Sequence, residues 1–391
     1  MSSSSSVTLP PRLSFSTRYR TAIKLALFIL PLTLLTLLVA SLHPISKART
    51  HGILRPSSAY PPIPRIVHYV HLQKSEHTPL SLPFSSYLSI FAAVLYIQPT
   101  KIYIHTDYNT TAISDATEHG DRWTHKLLTT WPELLEWNPV TPPTYAGPTD
   151  THHIDAIQHK SDFVRWDQIA SSGGIYLDFD VIALKPLDPL LNAGFAFIAG
   201  RQYGNEHEGG SLNGTINNGA FMSVPNSAMS TIVKGEQHAG FDGKWESNLV
   251  ANTRTAEYLV NVPYECLILD RHAFAPTHWF ADSKEGTDNL FRVQEGPPSP
   301  EPEPLPDTPR EPVKVYEAVV RNRRRRREWE FDWSSSYLLH AFSTGGYQRF
   351  IHPRLLLERR SNYGVAVWAI VKEMVDRGLI EGTEGEAYGE S

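Results

Sequence analysis

The sequence predicts an α/β fold for residues 63–391, and three observations support this. A strand–helix–strand succession occupies residues 63–107, and a second amphipathic helix runs directly into a buried strand at residues 154–187. Further short, apolar runs follow as far as residue 270. Strands that alternate with helices are typical of a sheet covered by helices. The hydrophobic content of 41% is enough to fill such a core.

The first strand–helix–strand unit has a clear pattern. IPRIVHYVHL (63–72) alternates apolar and polar residues from Ile66, as a half-buried strand does. SSYLSIFAAVLYI (85–97) has apolar residues at helical spacing and stops before Pro99, which cannot continue a helix. KIYIHTD (101–107) is a short strand that ends in a carboxylate.

The later elements are predicted in the same way. Residues 154–171 form an amphipathic helix, which Gly173 and Gly174 end, and the strand GGIYLDFDVIALKPL (173–187) follows at once. Residues 226–261 are mostly helix or loop. Three more runs are predicted strands, at residues 195–200, 219–225 and 262–270.

An uncharged stretch near the N-terminus predicts a membrane anchor. Residues 25–42 contain no charged side chain, and a helix of that length spans about 27 Å, close to the hydrocarbon thickness of a bilayer. Four basic residues precede the stretch and only two closely follow it, which favours a cytoplasmic N-terminus. The prediction is a cytoplasmic tail (1–24), a transmembrane signal anchor (25–42), a stem (43–62) and a body in the Golgi or ER lumen. A cleaved signal peptide is the alternative.

Residues 296–328 have a different composition. Eight prolines fall between Gly296 and Pro312, mixed with acidic residues, and a block of arginines follows at Arg323–Arg327. Such a segment buries little apolar surface, so we predict a disordered insertion within one domain. The net charge of −5 gives no general attraction to nucleic acid, and we predict no nucleic-acid partner. With Cys266 as its one cysteine, the chain forms no intramolecular disulfide.

Two carboxylates in the apolar run at 173–187 raise the question of chemistry. Asp178 and Asp180 alternate along the predicted strand, so both side chains point to one side. Like charges at that separation raise each other's pKa, and a divalent cation such as Mn²⁺ or Mg²⁺ would offset them. The alternative is a pair of solvated carboxylates at a strand end, bonded to arginines.

The residues around this pair resemble a known signature. SDFVRWDQIASSGGIYLDFDVIALKPLDPLL (161–191) is similar to the signature block of glycosyltransferase family 32: an Ser-Asp-x-x-Arg helix, Gly-Gly-x-Tyr-x-Asp-x-Asp and a trailing Pro-Leu-Asp. The first strand also resembles that family's, with Arg65 as its basic residue and Tyr69-Val70-His71 in place of Gln-Ile-Trp. The resemblance implies a GT-A fold, a Rossmann-like domain that uses a nucleotide sugar and a divalent metal.

The resemblance also implies roles for single residues. Asp180 would hold the metal directly, and Asp178 would bind the ribose and reach the metal through water. Asp162 and Arg165, three apart on one helix, would contact hydroxyls of the donor sugar, unless they form a surface ion pair. His340 aligns with a histidine that related enzymes place near the diphosphate, and it is a candidate metal ligand or an ordinary buried or surface histidine.

Three further residues complete the predicted substrate-binding set. Gly174 lies at the helix-to-strand turn, and Tyr176 either packs in the core or stacks on the nucleobase. Asn218, in Asn217-Asn218-Gly219-Ala220, lies near the donor or acceptor by resemblance, whereas an Asn-Gly pair also favours a turn.

The function implied is a retaining, metal-dependent hexosyltransferase anchored in the membrane. GDP-mannose is the first expectation for the donor and a UDP-hexose the second, with a glycan or glycolipid as acceptor. A catalytically inactive lumenal carbohydrate-binding protein of the same fold is the alternative, and a membrane tether that uses the 296–328 insertion is a third reading.

Overall fold

A computed structural model describes most of the chain after the predicted stem. The residues it describes are 59–203, 214–244, 246–280, 283–305, 312–342 and 347–387. The predicted tail, the predicted membrane helix and nearly all of the predicted stem lie outside these residues. Among the described residues, no helix combines the length and the apolar composition needed to cross a membrane.

The chain alternates between strands and helices, as predicted. The strands are β1 (Ile66–Val70), β2 (Lys101–Thr106), β3 (Leu135–Pro139), β4 (Tyr145–Ala146), β5 (His152–His153), β6 (Gly174–Leu177), β7 (Val181–Ala183), β8 (Phe197–Gln202), β9 (Thr215–Ser223), β10 (Cys266–Leu269) and β11 (Leu338–His340). The helices are α1 (Phe84–Tyr96), α2 (Thr110–His119), α3 (Arg122–Thr130), α4 (Ile157–Ser172), α5 (Asp188–Leu191), α6 (Ala228–Ala239), α7 (Ser247–Leu259), α8 (Arg271–Phe274), α9 (Thr287–Phe291), α10 (Pro312–Arg325), α11 (Pro353–Leu357) and α12 (Asn362–Asp376).

Seven strands form the central sheet, in the order β10-β8-β9-β6-β1-β2-β3. Every neighbouring pair is parallel except the two that involve β9, which runs antiparallel to β6 and to β8. The predicted α/β class is therefore confirmed, with a mostly parallel sheet. The strand order reverses beside β1, because β2 and β3 lie on one side of it and β6 on the other. In open α/β sheets, ligands bind at the carboxyl ends of the strands at such a switch point.

Two shorter sheets and α1 complete the surroundings of the site. The strands β7 and β11 pair antiparallel, as do β4 and β5. The first ten residues of α1, from Phe84 to Ala93, are all buried. Because it is mostly apolar all round, this helix can be covered on several sides, by β7, α3 and α12. Full burial of each large apolar side chain contributes about 1.5–3 kcal/mol.

Two glycines make the passage from α4 to β6. Gly173 and Gly174 have φ values of +65° and +109°, which other residues rarely adopt. A Cβ at Gly174 would lie 2.4 Å from the carbonyl oxygen of Ile66 on the neighbouring strand. Gly174 also lies four residues before Asp178, at the opposite end of β6. The structure therefore does not bring Gly174 to the Asp178–Asp180 turn, and here the residue lets two strands approach.

The 296–328 segment is more ordered than the sequence predicts. Residues 312–325 form α10, and Ala318 in it is buried. The side chain of Glu303 accepts hydrogen bonds from Arg321 (2.9 Å) and Arg325 (3.2 Å), and its backbone pairs with the amide of Asn322. The acidic, proline-rich part of the segment thus pairs with two arginines of α10, while Arg323 and Arg326 pair with Asp332. The prediction of disorder rested on composition, which does not show this pairing. It is corrected for residues 296–305 and 312–328, which the structure describes.

Candidate active site

Asp178 and Asp180 lie in a tight turn at the carboxyl end of β6. β6 ends at Leu177, and the backbone amide of Val181 donates to the carbonyl oxygen of Asp178 at 2.9 Å to close the turn. The prediction that the two residues alternate within one strand is therefore wrong. The turn still brings the two carboxylates together, and β7 begins at once after it.

His340 completes a cluster with the two carboxylates. The pairing of β11 with β7 sets His340 opposite Val181, and the Ala341 amide donates to the Asp180 carbonyl at 2.9 Å. His340 Nε2 lies 3.4 Å from Asp180 Oδ1. Ligand atoms of Asp178, Asp180 and His340 all lie within 4.8 Å of one another. The structure thus brings together the three residues predicted to bind metal.

Gly219 leaves the space in which these side chains meet. A Cβ at this position would lie 2.6 Å from His340 Cε1 and 2.8 Å from Asp178 Oδ2, closer than side chains tolerate. Two carboxylates and an imidazole are a donor set that suits Mn²⁺ or Mg²⁺. By donor type, spacing and this glycine cradle, the residues present fit a divalent cation.

Asn217 restricts how His340 takes part. The Gly219 amide donates to Asn217 Oδ1 at 2.7 Å, so Asn217 Nδ2 is the atom that faces His340 Nδ1 at 3.1 Å. Because an amide nitrogen only donates, Nδ1 accepts, and the neutral imidazole carries its proton on Nε2, toward Asp180. His340 would bind a cation through Nε2 only after this hydrogen bond is exchanged. The two carboxylates carry no such restriction.

Asp162 and Arg165 form a buried ion pair rather than a surface one. Arg165 is 4% exposed, and its Nη2 lies 3.2 Å from Asp162 Oδ1 and 3.4 Å from Asp178 Oδ1. Its Nη1 donates to the carbonyl oxygen of Asn218 at 2.5 Å. The surface-pair alternative is wrong. One guanidinium connects α4, the Asp178 turn and β9.

Asp162 in turn is held by two amides. Asn218 and Asn248 each donate to one of its carboxylate oxygens at 2.7 Å. Asn218 Oδ1 then accepts from Trp166 Nε1 (3.2 Å) and Asn252 Nδ2 (2.9 Å). Asn218 lies within β9, so the turn alternative for this segment is also wrong.

Burial and charge act against each other in this cluster. Burial raises the pKa of Asp178, the Asp180 charge adds to the rise, and Arg165 opposes it. Burial also raises the pKa of Asp162, again against Arg165. For Arg165, burial alone would lower the pKa, but Asp178 and the neighbouring groups raise it overall. Removing one partner of a buried pair typically costs 3–5 kcal/mol, because the remaining charge is left uncompensated.

Tyr176 belongs to the core and supports the site from below. Its side chain is fully buried and stacks on Phe221 with ring centroids 5.4 Å apart. Its hydroxyl donates to Asp178 Oδ1 at 2.6 Å, and the Arg165 guanidinium lies 4.5 Å from the ring centroid. Of the two readings of Tyr176, core packing is correct. Neither ring face is open to a nucleobase, and the hydroxyl positions the Asp178 carboxylate.

Sequence reasoning missed Asn248 and Asn252 as partners of the site. Both are buried, and both lie in the first half of α7, which packs on β9. The only signal for them in the sequence is the pair of asparagines four residues apart on one helix face. Asparagine is unfavourable inside a helix, so the pair is notable.

Residues 94–195 match the family model of the glycosyltransferase sugar-binding region that contains the DXD motif. The resemblance to glycosyltransferase family 32 is confirmed over this region. The match includes the Asp162–Arg165 pair and the Asp178–Asp180 turn but not His340, Asn218 or Asn248. A sequence relative is glucan organizing enzyme 1 of Cryptococcus neoformans var. grubii, 32% identical over 132 residues. The alignment spans 33% of this chain and 32% of that protein.

Among solved structures, the chain is similar to the galactosyltransferase LgtC in complex with donor and acceptor sugar analogs (12% identity, 81% of this chain, 100% of that chain, TM-score 0.36). It is also similar to the glycosyltransferase GlyE of Streptococcus pneumoniae TIGR4 (12% identity, 84% of this chain, 66% of that chain, TM-score 0.34). Likeness at this level carries no inference about function.

Proposed function

We propose that the protein is a glycosyltransferase of the GT-A type that transfers a hexose from a nucleotide sugar to a glycan or glycolipid. The observation that carries this is the meeting of Asp178, Asp180 and His340 at the carboxyl end of β6, beside the switch point of the sheet. The match of residues 94–195 to the DXD region supports the same assignment.

In this reaction the oxygen of an acceptor hydroxyl replaces the nucleoside diphosphate on the anomeric carbon, the diphosphate leaves, and the hydroxyl proton passes to solvent. Asp178 and Asp180, with His340 after its hydrogen bond is exchanged, would hold Mn²⁺ or Mg²⁺. When bound, such a cation neutralises the charge that the departing diphosphate gains. Tyr176 and Arg165 fix the Asp178 carboxylate, which removes the need to order it during the reaction.

Asp162 is placed to recognise hydroxyls of the donor sugar. Oδ1 accepts from Asn218 and also faces the Arg165 guanidinium, whereas Oδ2 accepts from Asn248. A carboxylate oxygen offers about two acceptor positions, so Oδ2 keeps capacity for a hydroxyl. Its side chain is 14% exposed, which leaves an open edge. The proposal includes retention of the anomeric configuration, with GDP-mannose as first donor and a UDP-hexose as second, and it leaves front-face and double displacement open.

We also propose that residues 25–42 anchor the protein in the Golgi or ER membrane with the catalytic domain in the lumen. The support is the uncharged stretch and the asymmetry of basic residues around it. Glycosylation of an engineered sequon near residue 60, and not of one near residue 10, tests this orientation.

The function is tested with a donor panel. The full chain in detergent is given Mn²⁺ and each common nucleotide sugar, and release of the nucleoside diphosphate is measured. Turnover with one donor is expected, and Asp180→Asn should lower it at least about 100-fold. Asp188→Asn removes a half-exposed carboxylate outside the cluster that pairs with Arg65, and it should leave turnover unchanged. If both variants lose turnover, or if neither does, the site assignment is contradicted.

The inactive carbohydrate-binding alternative makes a different prediction. It expects sugar binding with no nucleotide release from any donor. The intact ion pair between Arg165 and the carboxylates argues for activity, because holding these charges together in the interior is costly without a use for them.

A further inference from the structure

A group of partly exposed aromatic side chains adjoins the candidate metal cluster. It is called here the aromatic wall, and it consists of Tyr203, Trp279, Phe280 and Phe342. Nothing in the proposed metal and donor chemistry uses these rings. Aromatic surface that stays exposed beside a polar site commonly marks a ligand-binding face.

The wall begins in direct contact with the metal cluster. The Phe342 ring stacks on the His340 imidazole, with centroids 3.8 Å apart and planes 25° apart. The Trp279 ring meets Phe342 edge-on at 5.8 Å, and Phe280 lies 5.6 Å beyond Trp279. A ligand on this wall therefore lies next to His340, and so next to the Asp178–Asp180 turn.

The wall is held in place by contacts to β11 and to its own loop. Thr277 Oγ1 donates to the carbonyl oxygen of His340 at 2.6 Å, which ties the Trp279 segment to the cluster. The backbone amide of Phe280 donates to Nδ1 of the buried His278 at 2.8 Å. Phe342 has φ +45°, a strained conformation for a bulky residue, and such strain is concentrated at functional sites. A prearranged surface loses little entropy when it binds a ligand.

The position of the wall distinguishes it from the expected nucleotide site. Tyr203 follows β8, and Trp279 follows β10 and α8, on the far side of β9 from β1. The switch point, where a nucleotide is expected, lies between β1 and β6. The Asp178–Asp180 turn at the end of β6 thus separates the two regions. A donor bound at the switch point would leave the aromatic wall free to bind the acceptor.

We propose that the aromatic wall binds a pyranose ring of the acceptor by stacking against its apolar C–H face, with Trp279 as the central contact. This rests on the proposed glycosyltransferase function and adds to it the class of acceptor group: a saccharide, read through its ring face. The saccharide of a glycan and the sugar headgroup of a glycolipid share this chemistry.

The first test uses the wild-type full chain in detergent with Mn²⁺ and UDP or GDP. Methyl α-D-mannopyranoside and, separately, methyl β-D-glucopyranoside serve as probes in saturation-transfer difference NMR, with irradiation of aromatic protons. Saturation is expected mainly on the ring protons of one face of at least one probe. Uniform saturation, or none with either probe, overturns the proposal.

The second test compares variants by donor and acceptor kinetics. Trp279→Leu should raise the apparent KM for the hexoside at least about tenfold, the size of one lost aromatic stack. Release of nucleotide to water should change less than about twofold, because the donor site is untouched. Trp279→Phe should restore most of the hexoside affinity. Trp368→Leu, which removes a partly buried indole on α12, is the control and should change neither quantity.

Each contrary outcome has a separate meaning. An unchanged hexoside KM in Trp279→Leu overturns the proposal, and so does an equal loss of UDP or GDP affinity, which would mean that the wall stacks a nucleobase. If the wild type releases nucleotide from no donor, the proposed function fails, whereas the NMR measurement still reports on the wall. If Trp279→Leu does not fold, the wild-type NMR pattern and Trp279→Phe decide the question.

Discussion

Asn217 Nδ2 lies 3.1 Å from His340 Nδ1, and this contact fixes the proton of the imidazole on its far side. The Gly219 amide holds the other end of the Asn217 side chain, so the amide cannot simply turn over. Histidines that bind metal usually donate their second N–H to an acceptor. Here that second nitrogen meets a donor, so Asn217 controls the availability of His340.

Asn217→Asp should therefore strengthen cation binding. The new carboxylate accepts from the Gly219 amide and from His340 Nδ1–H, and this frees Nε2 as a ligand. We expect Mn²⁺ affinity to rise about tenfold, as measured by calorimetric titration. The added charge alone also attracts a cation, so the double variant Asn217→Asp/His340→Ala is the control. A gain of the same size in the double variant would show that His340 has no part in it.

Gly219→Ala tests the cradle between His340 and Asp178. The added methyl would lie 2.6 Å from His340 Cε1 and would force the imidazole or the carboxylate aside. We expect Mn²⁺ affinity to fall at least about tenfold while the fold persists. Gly235→Ala is the matched control, since a Cβ there meets nothing within 4 Å and the residue lies inside α6. It should stabilise the protein by about 0.5–1 kcal/mol and leave cation affinity unchanged.

Arg165→Met should destabilise the protein as well as inactivate it. The substitution leaves Asp162 and Asp178 partly buried without the guanidinium that pairs with both of them. We expect a loss of about 3–5 kcal/mol in the free energy of unfolding, as measured in urea. Arg165→Met/Asp162→Asn removes one of the two stranded charges and should recover part of that loss. No recovery would mean that packing of the arginine, rather than its charge, sets the cost.

His68 and His105 make the fold sensitive to acid. His68 Nε2 donates to the carbonyl oxygen of Gly173 (2.9 Å), so His68 Nδ1 accepts from His105 Nε2 (2.9 Å), and His105 Nδ1 accepts from Asn138 Nδ2 (2.8 Å). Every nitrogen is satisfied with both rings neutral. Burial lowers the pKa of His68 to about 4 and that of His105 to about 3.

Stability should fall as the pH falls below about 6.5, the pKa of an unfolded histidine. Below that pH the two histidines bind protons in the unfolded chain but stay neutral in the folded protein. Their contribution to the free energy of unfolding is therefore complete above pH 6.5 and is lost progressively as the pH falls toward the folded pKa values. Urea unfolding at pH 7.5, 6.0 and 5.0 measures it. His105→Gln should lower stability at pH 7.5 and flatten the decline between pH 7.5 and 5.0. An equally steep decline in the variant would place the sensitivity elsewhere.

More of the fold than of the candidate site could be predicted from the sequence. Periodicity located β1, α1, β2 and α4 within a few residues, because strand and helix patterns depend on neighbours in the sequence. The contacts of Asp162 depend on Asn218 and Asn248, which lie 56 and 86 residues away, and no local pattern reports such distances.

One local prediction and one local alternative failed because tertiary contacts outweighed propensity. Asn217–Gly219 has a turn-forming sequence, yet it lies in β9 because β6 and β8 pair with that strand on both sides. The apolar run around Asp178 suggested one continuous strand, and the chain instead turns there so that β7 pairs with β11. Both departures occur at the candidate site, where local rules are most often broken.

Manganese binding to the full chain, followed by electron paramagnetic resonance with and without a nucleoside diphosphate, tests whether Asp178 and Asp180 hold a divalent cation. We expect one Mn²⁺ per chain, tighter binding when UDP or GDP is present, and loss of binding in Asp178→Asn/Asp180→Asn. Absence of bound Mn²⁺ at saturating nucleotide, or equal binding by the double variant, would contradict this expectation.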